Sequence, residues 1–465
     1  MWYSDDGMSV SRRDFIGGCS ALLAARAFGA SESPVLRVGI LSDTHVSLDP
    51  KSLIPLQRAF SYFSSEGVGA VALAGDVCEY GTLDELKTVM GVWRAVFPDG
   101  RNRLGGVVRP FFIWGNHDYH ASAVLHGKGP MTDAERQAAI LTNKDAAWEM
   151  VTGEPRHSGE VFLRTIGGIT FIGAHWGAES AAGRFLREHA AELPADRPVI
   201  YLQHKHPKNT CFRGWASGDD GANRAALLEH PNVFVISGHS HTPVYDDALW
   251  MGGFASMGAG SLLKPAFRRY EYNGLWYGKQ DVRHMRNAKP GDAAQVSVMS
   301  IYPDRVVVSR HDVNHDEAIG DDWELPFPFR HNAERPYCIA DNARPPQFAA
   351  GSEISLSFEM GECSPGHVRE RQTVMRFPAA RSDGPHSRVI DYRVRVTGAG
   401  GRSVIERLVQ QDFLACAESR AVTHPGVCVF GPEELPVGET LSVCVAPLNC
   451  GGVAGRPISR TFSVC

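Results

Sequence analysis

Five short apolar runs in the first half of the chain each stop at small or polar residues that bring in an acid, an amide or a histidine. Residues 35–41 run into Ser42-Asp43, 70–74 into Gly75-Asp76, 111–114 into Gly115-Asn116, 199–202 into Gln203-His204, and 233–236 into Ser237-Gly238-His239. Short apolar runs bounded in this way predict strands buried on both faces. Residues 53–66 and 82–97 read as helix, so strand and helix alternate and this part of the chain is predicted to be α/β. Each polar block then falls at the C-terminal end of a strand, where open α/β sheets gather their functional loops.

The texture changes further along. Residues 252–263, 270–277, 294–301 and 306–312 read as short strands that complete a second sheet, and the Pro-rich polar stretch 317–336 reads as a linker or an ordered strap. From residue 337 onward helical periodicity is poor. Apolar or alternating segments recur at 354–358, 389–396, 403–409 and 441–446, and turn residues separate them. The tail 441–464 is similar to the final hairpin of a fibronectin type III or immunoglobulin-like sandwich.

The polar blocks supply chemistry as well as punctuation. Asp43-Thr44-His45, Gly75-Asp76, Gly115-Asn116-His117-Asp118, His204 and Gly238-His239-Ser240-His241 offer hard oxygen and borderline nitrogen donors, the set that a two-metal hydrolytic centre needs. Any one block alone is more often a turn or a satisfied polar residue. In series they resemble the calcineurin-like metallophosphoesterases, whose pattern runs D-x-H, G-D, G-N-H-D, H, G-H-x-H, and the resemblance spans about residues 35–315. It implies a two-sheet sandwich flanked by helices. It also implies that Asp43, His45 and His241 hold one metal, that Asp76 bridges, and that Asn116, His204 and His239 complete the second site. The cofactors implied are two divalent or trivalent transition-metal ions, with Mn, Fe and Zn all open. Attack on phosphorus at neutral pH would use a metal-bound hydroxide, because a metal lowers the pKa of water from about 15.7 towards about 7. His117 is the expected general acid for the leaving group, with Asp118 orienting it.

Nearby residues are weighed against the same pattern. His206 is a second candidate for the place given to His204, with a substrate-facing or surface role otherwise. His175 follows a strand, and its preferred reading is a hydrogen-bonded loop histidine. His120 and Tyr119 are candidates to line the cleft. Purple acid phosphatases carry a metal-binding tyrosine three residues after the bridging aspartate; here Glu79 stands there and Tyr80 one further on, which argues against a tyrosinate-iron site. Cys78 reads as a small, partly buried loop residue rather than a ligand.

Composition sets the surroundings. The 465 residues are 43% hydrophobic and 21% charged, which suits a folded protein of two domains. Ser11-Arg12-Arg13-Asp14-Phe15-Ile16, followed by a modest apolar stretch and small residues, resembles a twin-arginine export signal. The export machinery is therefore an expected partner, the location periplasmic or extracellular, and the apolar run too short for a stable transmembrane span. Arg12, Arg13 and Arg26 balance Asp5, Asp6 and Asp14, so the net charge stays at −5 without residues 1–30, and a mildly acidic chain gives no reason to expect a nucleic-acid partner. Seven of the ten cysteines (338, 363, 416, 428, 444, 450, 465) lie beyond residue 335, which in an oxidising compartment predicts disulfides in the last domain. No Walker-type phosphate loop, serine nucleophile elbow or Cys-x-x-Cys pair offers a rival chemistry.

The sequence thus predicts a signal at 1–30, a catalytic α/β domain at 31–316, a linker at 317–336 and an all-β sandwich at 337–465. The expected activity is secreted, metal-dependent hydrolysis of small-molecule or macromolecular phosphoesters, with phosphomonoesters and phosphodiesters both open. The alternative is a catalytically inactive adhesion or carbohydrate-binding protein on the same scaffold.

Overall fold

The computed structural model describes residues 33–121, 132, 134–135, 139, 145–154, 159–208, 210, 221–241, 243–244, 248–264, 293–330, 345–362, 368–381, 389–410, 425–449 and 453–464. In chain order the first part comprises β1 (Leu36–Leu41), α1 (Leu53–Ser65), β2 (Ala70–Ala74), α2 (Leu83–Val96), β3 (Arg109–Ile113), α3 (Asp145–Thr152), β4 (Val161–Ile166) and β5 (Ile169–Ala174). It continues with α4 (Glu179–Glu188), β6 (Val199–Gln203), α5 (Ala222–Leu227), β7 (Val233–Ser237), β8 (Leu249–Met251), β9 (Ala255–Gly258), β10 (Gln295–Ile301), β11 (Arg305–Asp312), β12 (Glu317–Ala318) and β13 (Trp323–Pro326).

Among the described residues these strands make two sheets. One runs β12-β11-β10-β1-β2-β3, with β13 also paired to β11, and the other β4-β5-β6-β7-β9-β8. Parallel pairing joins β1 to β2 to β3, and β5 to β6 to β7 to β9, while the outer strands are antiparallel. The parallel strands are the continuous apolar runs of the sequence because both of their faces are covered. Ile40, Ala72, Phe111 and Ile113 of one sheet meet Phe171, Ile200, Leu202, Phe234 and Ile236 of the other in a shared inner core. The first sheet turns its opposite face to α1, α2 and α3, and the second turns its own to α4 and α5. The result is the expected sandwich flanked by helices.

Local signals account for the helices. Thr82 Oγ1 accepts from the Glu85 N–H while Glu85 Oε2 accepts from the Thr82 N–H, a capping box that starts α2. Leu86, Val89 and Trp93 then bury one stripe of that helix, as Leu56, Ala59, Phe60 and Phe63 do on α1. A core side chain such as Phe60, which packs on Trp93 and Phe97, contributes about 1.5–3 kcal/mol by burial.

Two segments differ from the sequence-based expectation. Residues 317–326, expected as linker or strap, form β12 and β13 and bring β-structure past the expected boundary at 316. Trp323 and Leu325 are buried, the Arg310 guanidinium lies 4.2 Å over Trp323, and Phe329 packs edge-on against Phe234 at 5.5 Å. The stretch is thus a strap held by aromatic burial, which its many polar and proline residues disguise. Residues 252–263 contribute only the short β9, and β8 lies just before them. The expected strand at 270–277 and the export signal at 1–30, with Cys19, lie outside the described residues.

The last part holds β14 (Ser355–Glu362), β15 (Arg369–Phe377), β16 (Val389–Thr397), β17 (Ser403–Gln410), β18 (Gly426–Phe430), β19 (Thr440–Asn449) and β20 (Ile458–Ser463). They form an all-antiparallel pair of sheets, β14-β15-β18 and β17-β16-β19-β20. Met375, Phe377 and Phe430 of one and Tyr392, Val394, Val443 and Val445 of the other share a single core. The predicted terminal hairpin is β19–β20, in register from Thr440 opposite Ser463 to Val445 opposite Ile458. Cys444 carries a free thiol, Cys428 is buried in the core, and the other cysteines of the expected disulfide set lie outside the described residues.

Candidate metal centre

All of the sequence-predicted site residues collect at one end of the two sheets. Asp43, His45, Asp76 and Asn116 follow β1, β2 and β3 of the first sheet; His204, His239 and His241 follow β6 and β7 of the second. The loops after β1 and β2 continue the pairing of their strands. Asp43 N–H donates to Gly75 O, His45 N–H to Asp76 O, Val46 N–H to Val77 O and Glu79 N–H to Val46 O. Across the seam, His239 N–H donates to the Asp43 carboxylate at 3.0 and 3.2 Å, and within the second sheet Gly238 N–H donates to His204 O at 2.9 Å.

This arrangement is bought with backbone strain. Seven non-glycine residues among those described have positive φ, and five of them are candidate ligands: Asp43 (50°), His45 (42°), Asp76 (51°), His239 (65°) and His241 (55°). Each costs on the order of 1 kcal/mol or more, and such residues cluster where function demands their geometry. The glycines of the motifs fit the same crowding. A Cβ on Gly115 would lie 2.2 Å from Asp76 Oδ1 and 2.7 Å from His204 Cε1, so only glycine lets these groups approach.

The side chains form two clusters that share Asp76. In the first, His241 Nε2 lies 3.0 Å from Asp43 Oδ1 and 3.2 Å from His45 Nε2, and His45 Nε2 lies 3.8 Å from Asp76 Oδ2. One donor atom from each of Asp43, His45, Asp76 and His241 falls within 4.8 Å of the others, all buried. In the second, His204 Nε2 lies 3.3 Å from Asp76 Oδ1 and 3.2 Å from Asn116 Oδ1, with the His239 ring 5.1 Å from the His204 ring. Backbone carbonyls fix the tautomers: His204 Nδ1–H donates to Ala74 O (2.7 Å) and His241 Nδ1–H to Lys264 O (3.0 Å), which turns each Nε2 towards the carboxylates.

The electrostatics suit cations. Despite burial, the neighbouring imidazoles hold the Asp43 and Asp76 carboxyls below the usual range. Burial pushes His45 down to about 4, and burial with the His204 charge pushes His239 down to about 3, so both are neutral and present lone pairs. His204, which burial alone would lower, is raised to about 10 by the Asp76 carboxylate. Two ionised carboxylates beside the neutral imidazoles of His45 and His239 are a donor set for divalent transition ions rather than for a purely oxygen-seeking one.

Residues 36–243 match the family model for calcineurin-like phosphoesterases. The chain carries a calcineurin-like phosphoesterase domain. That domain is one of metal-dependent phosphoric ester hydrolases. No curated protein matches the chain. Among solved structures the chain is similar to a dimetal phosphatase from Danio rerio, at 12% identity and TM-score 0.39 over 63% of this chain and 100% of that one. It is also similar to a purple acid phosphatase from yellow lupin, Lupinus luteus (13% identity, TM-score 0.38, 63% of this chain and 54% of that one). A third is zinc-complexed Vps29 from Entamoeba histolytica (12% identity, TM-score 0.28, 63% and 99%).

Within this phosphoesterase domain several expectations need correcting. Asp118 does not orient His117. Its carboxylate accepts from the N–H groups of Val77 (3.2 Å), Cys78 (2.9 Å) and Gly115 (2.8 Å), tying the loop after β2 to the loop after β3. Burial and the Asp76 charge push Asp118 up to about 8 against those three donors. His117 instead places its Nδ1 2.9 Å from Glu79 O and gives its N–H to Asp76 Oδ1 at 2.8 Å. His206 is not a surface histidine: it is 1% exposed, burial pushes it down to about 3, and its Nε2 has no hydrogen-bond partner among the described residues.

Other neighbours behave as the blander reading expects. His175 is buried, its Nδ1 accepts from Trp114 N–H, and its ring stacks on Trp114. Cys78 is buried in the helix-side core, with its thiol pushed well up by burial, and Tyr119 packs on the same cluster. His120 is exposed, its ring 4.6 Å from that of His117. Two residues were not singled out. Trp176 sits 5.7 Å from the His204 ring and 5.3 Å from the His239 ring with the Lys205 ammonium 4.1 Å over it, and its signal was a position just past the end of β5. Lys264 directly follows the stretch 252–263, and no spacing marks it.

Proposed function

We propose that the chain is an exported binuclear phosphoester hydrolase in which Asp43, His45 and His241 hold one ion, Asn116, His204 and His239 the other, and Asp76 both. The observation that supports this most is the split of the Asp76 carboxylate: Oδ2 faces His45 and Oδ1 faces His204, so one side chain addresses both clusters. Two divalent ions there would supply a Lewis-acid pair for the phosphoryl oxygens and for activation of a water. His117, anchored at Nδ1 by Glu79 O, has Nε2 available to give a proton to the leaving-group oxygen. Asp118 keeps the loops bearing Asp76 and Asn116 in register through its three N–H contacts.

Phosphomonoesters and phosphodiesters both fit this reading, since the ligand set defines the attack and the cleft walls define the second substituent. Export by the twin-arginine route follows from Arg12 and Arg13, and among the described residues no helix is long and apolar enough to cross a membrane. The strand order β14-β15-β18 and β17-β16-β19-β20 supports a fibronectin type III reading of the last domain, in which the fourth strand joins the sheet of the third. The deciding experiment is hydrolysis of a panel of aryl phosphate mono- and diesters after reconstitution with Mn, Fe or Zn. Turnover that depends on metal and disappears in Asp76→Asn supports the hydrolase; no turnover on any ester by fully metallated protein favours the inactive adhesion scaffold.

A further inference from the structure

We propose that Glu79 and Lys264 form a positioning pair for the imidazoles on the His45 side of the centre, an inference that rests on the binuclear reading. The Glu79 carboxylate lies 2.9 Å from His45 Nδ1, the ring nitrogen opposite the one that faces Asp43, Asp76 and His241. The contact is close but off the axis of a well-aligned hydrogen bond. Through its backbone carbonyl the same residue holds His117 Nδ1 at 2.9 Å. Lys264 Nζ donates to both Glu79 oxygens, at 2.7 and 2.6 Å, and the Lys264 carbonyl takes the Nδ1–H of His241 at 3.0 Å. One ion pair therefore joins the loop after β2 to the segment after β9 and reaches His45, His117 and His241 together.

A carboxylate behind a ligating imidazole fixes its tautomer and ring angle and makes the facing nitrogen a better donor; losing such a partner weakens metal binding by about 10–100-fold. The pair is partly buried, with Glu79 17% and Lys264 39% exposed, so the ammonium offsets the carboxylate charge without full solvent screening. Donor atoms of His45, Glu79 and His117 also lie within 4.8 Å of one another, a spacing that suits an ion. The ammonium already bound to both Glu79 oxygens competes directly with a cation there, and positioning is the role that uses every contact present.

The test is zinc binding by the full chain in competition with a chromophoric chelator, for wild type, Glu79→Ala, Glu79→Gln and Lys264→Ala. Glu79→Ala should weaken one of two zinc ions by about 10–100-fold and leave the other unchanged. Glu79→Gln, whose amide oxygen keeps an acceptor beside His45 Nδ1, should recover most of that loss, and Lys264→Ala should weaken the same ion by less. Equal weakening of both ions, or no change in either, overturns the proposal. So does a third zinc in wild type that Glu79→Ala abolishes, since Glu79 would then be a ligand. Should Glu79→Ala not fold, Glu79→Gln and Lys264→Ala carry the same comparison of the two ions. Wild-type protein that binds fewer than two zinc ions overturns the binuclear reading itself, an outcome separate from the others.

Discussion

The metal-centre loops and the C-terminal sandwich solve opposite problems with the same chain. Around the centre, five candidate ligands take left-handed backbone conformations and bury carboxylates and imidazoles that need external charge. In the sandwich, no described non-glycine residue has positive φ, and β16 alternates Tyr392, Val394 and Val396 inward with Arg393 and Arg395 outward. The sandwich is stabilised by its own burial. The loops are strained, and the two sheets beneath them must supply the stability that holds the geometry. Among the described residues, strained charge-bearing loops and regular packing are segregated along the chain.

The sharpest way to break this contrast is to remove the side chain that both clusters share. Asp76→Ala should lose both ions by elemental analysis and lower turnover by at least ~10⁴-fold, because several kcal/mol of transition-state charge stabilisation go with the ions. A variant that keeps two ions would show that Asp76 is not the bridge. Next in size, His117→Ala should keep both ions and lower turnover by ~10²–10⁴-fold, with a smaller loss for esters whose leaving groups need no proton. Equal losses for good and poor leaving groups would assign His117 to charge stabilisation alone.

The same contrast explains what was legible in the sequence. The parallel strands were readable because burial on both faces leaves uninterrupted apolar runs such as 70–74 and 233–236, and the ligand blocks because they end those runs. Strand β15, Arg-Glu-Arg-Gln-Thr-Val-Met-Arg-Phe, was missed because polar Gln372 and Thr373 are buried in it and hide its alternation. The stretch holding β13 could be read only as a linker or an ordered strap, because Trp323 and Leu325 alternate with charged Glu324 between prolines and acids, and only the pairing to β11 reveals the strand. At the site, the partner of His117 was misjudged because a backbone carbonyl, that of Glu79, carries no sequence signature, whereas Asp118 beside it did.

Truncation tests whether the segregation is real. A chain ending after Arg330 keeps the strap and should retain both ions and hydrolysis of small aryl phosphates. One ending at Asp322 loses the buried Trp323, Leu325 and Phe329, worth about 1.5–3 kcal/mol each, a sum comparable to the stability of a whole domain. It should be largely unfolded by circular dichroism. A folded, fully metallated chain to Arg330 without activity would mean that the sandwich helps shape the cleft.

The smallest expected effect probes the sandwich alone. Tyr392 is fully buried and its hydroxyl oxygen accepts from the Ala380 N–H at 2.9 Å. Tyr392→Phe leaves that N–H without its partner and should cost about 1–3 kcal/mol, read as a lowered unfolding midpoint of the sandwich, with hydrolysis of aryl phosphates unchanged. Burial also pushes the phenol from its ordinary 10.0 up to about 12. A raised phenol binds its proton more tightly when folded, so its contribution is constant below pH 10 and is lost as pH rises from about 10 to about 12. Wild type should therefore lose more stability over that interval than Tyr392→Phe does. A fall in turnover alongside the midpoint would couple the two regions and contradict their separation, whereas identical alkaline slopes would place the titrating phenol elsewhere in the chain.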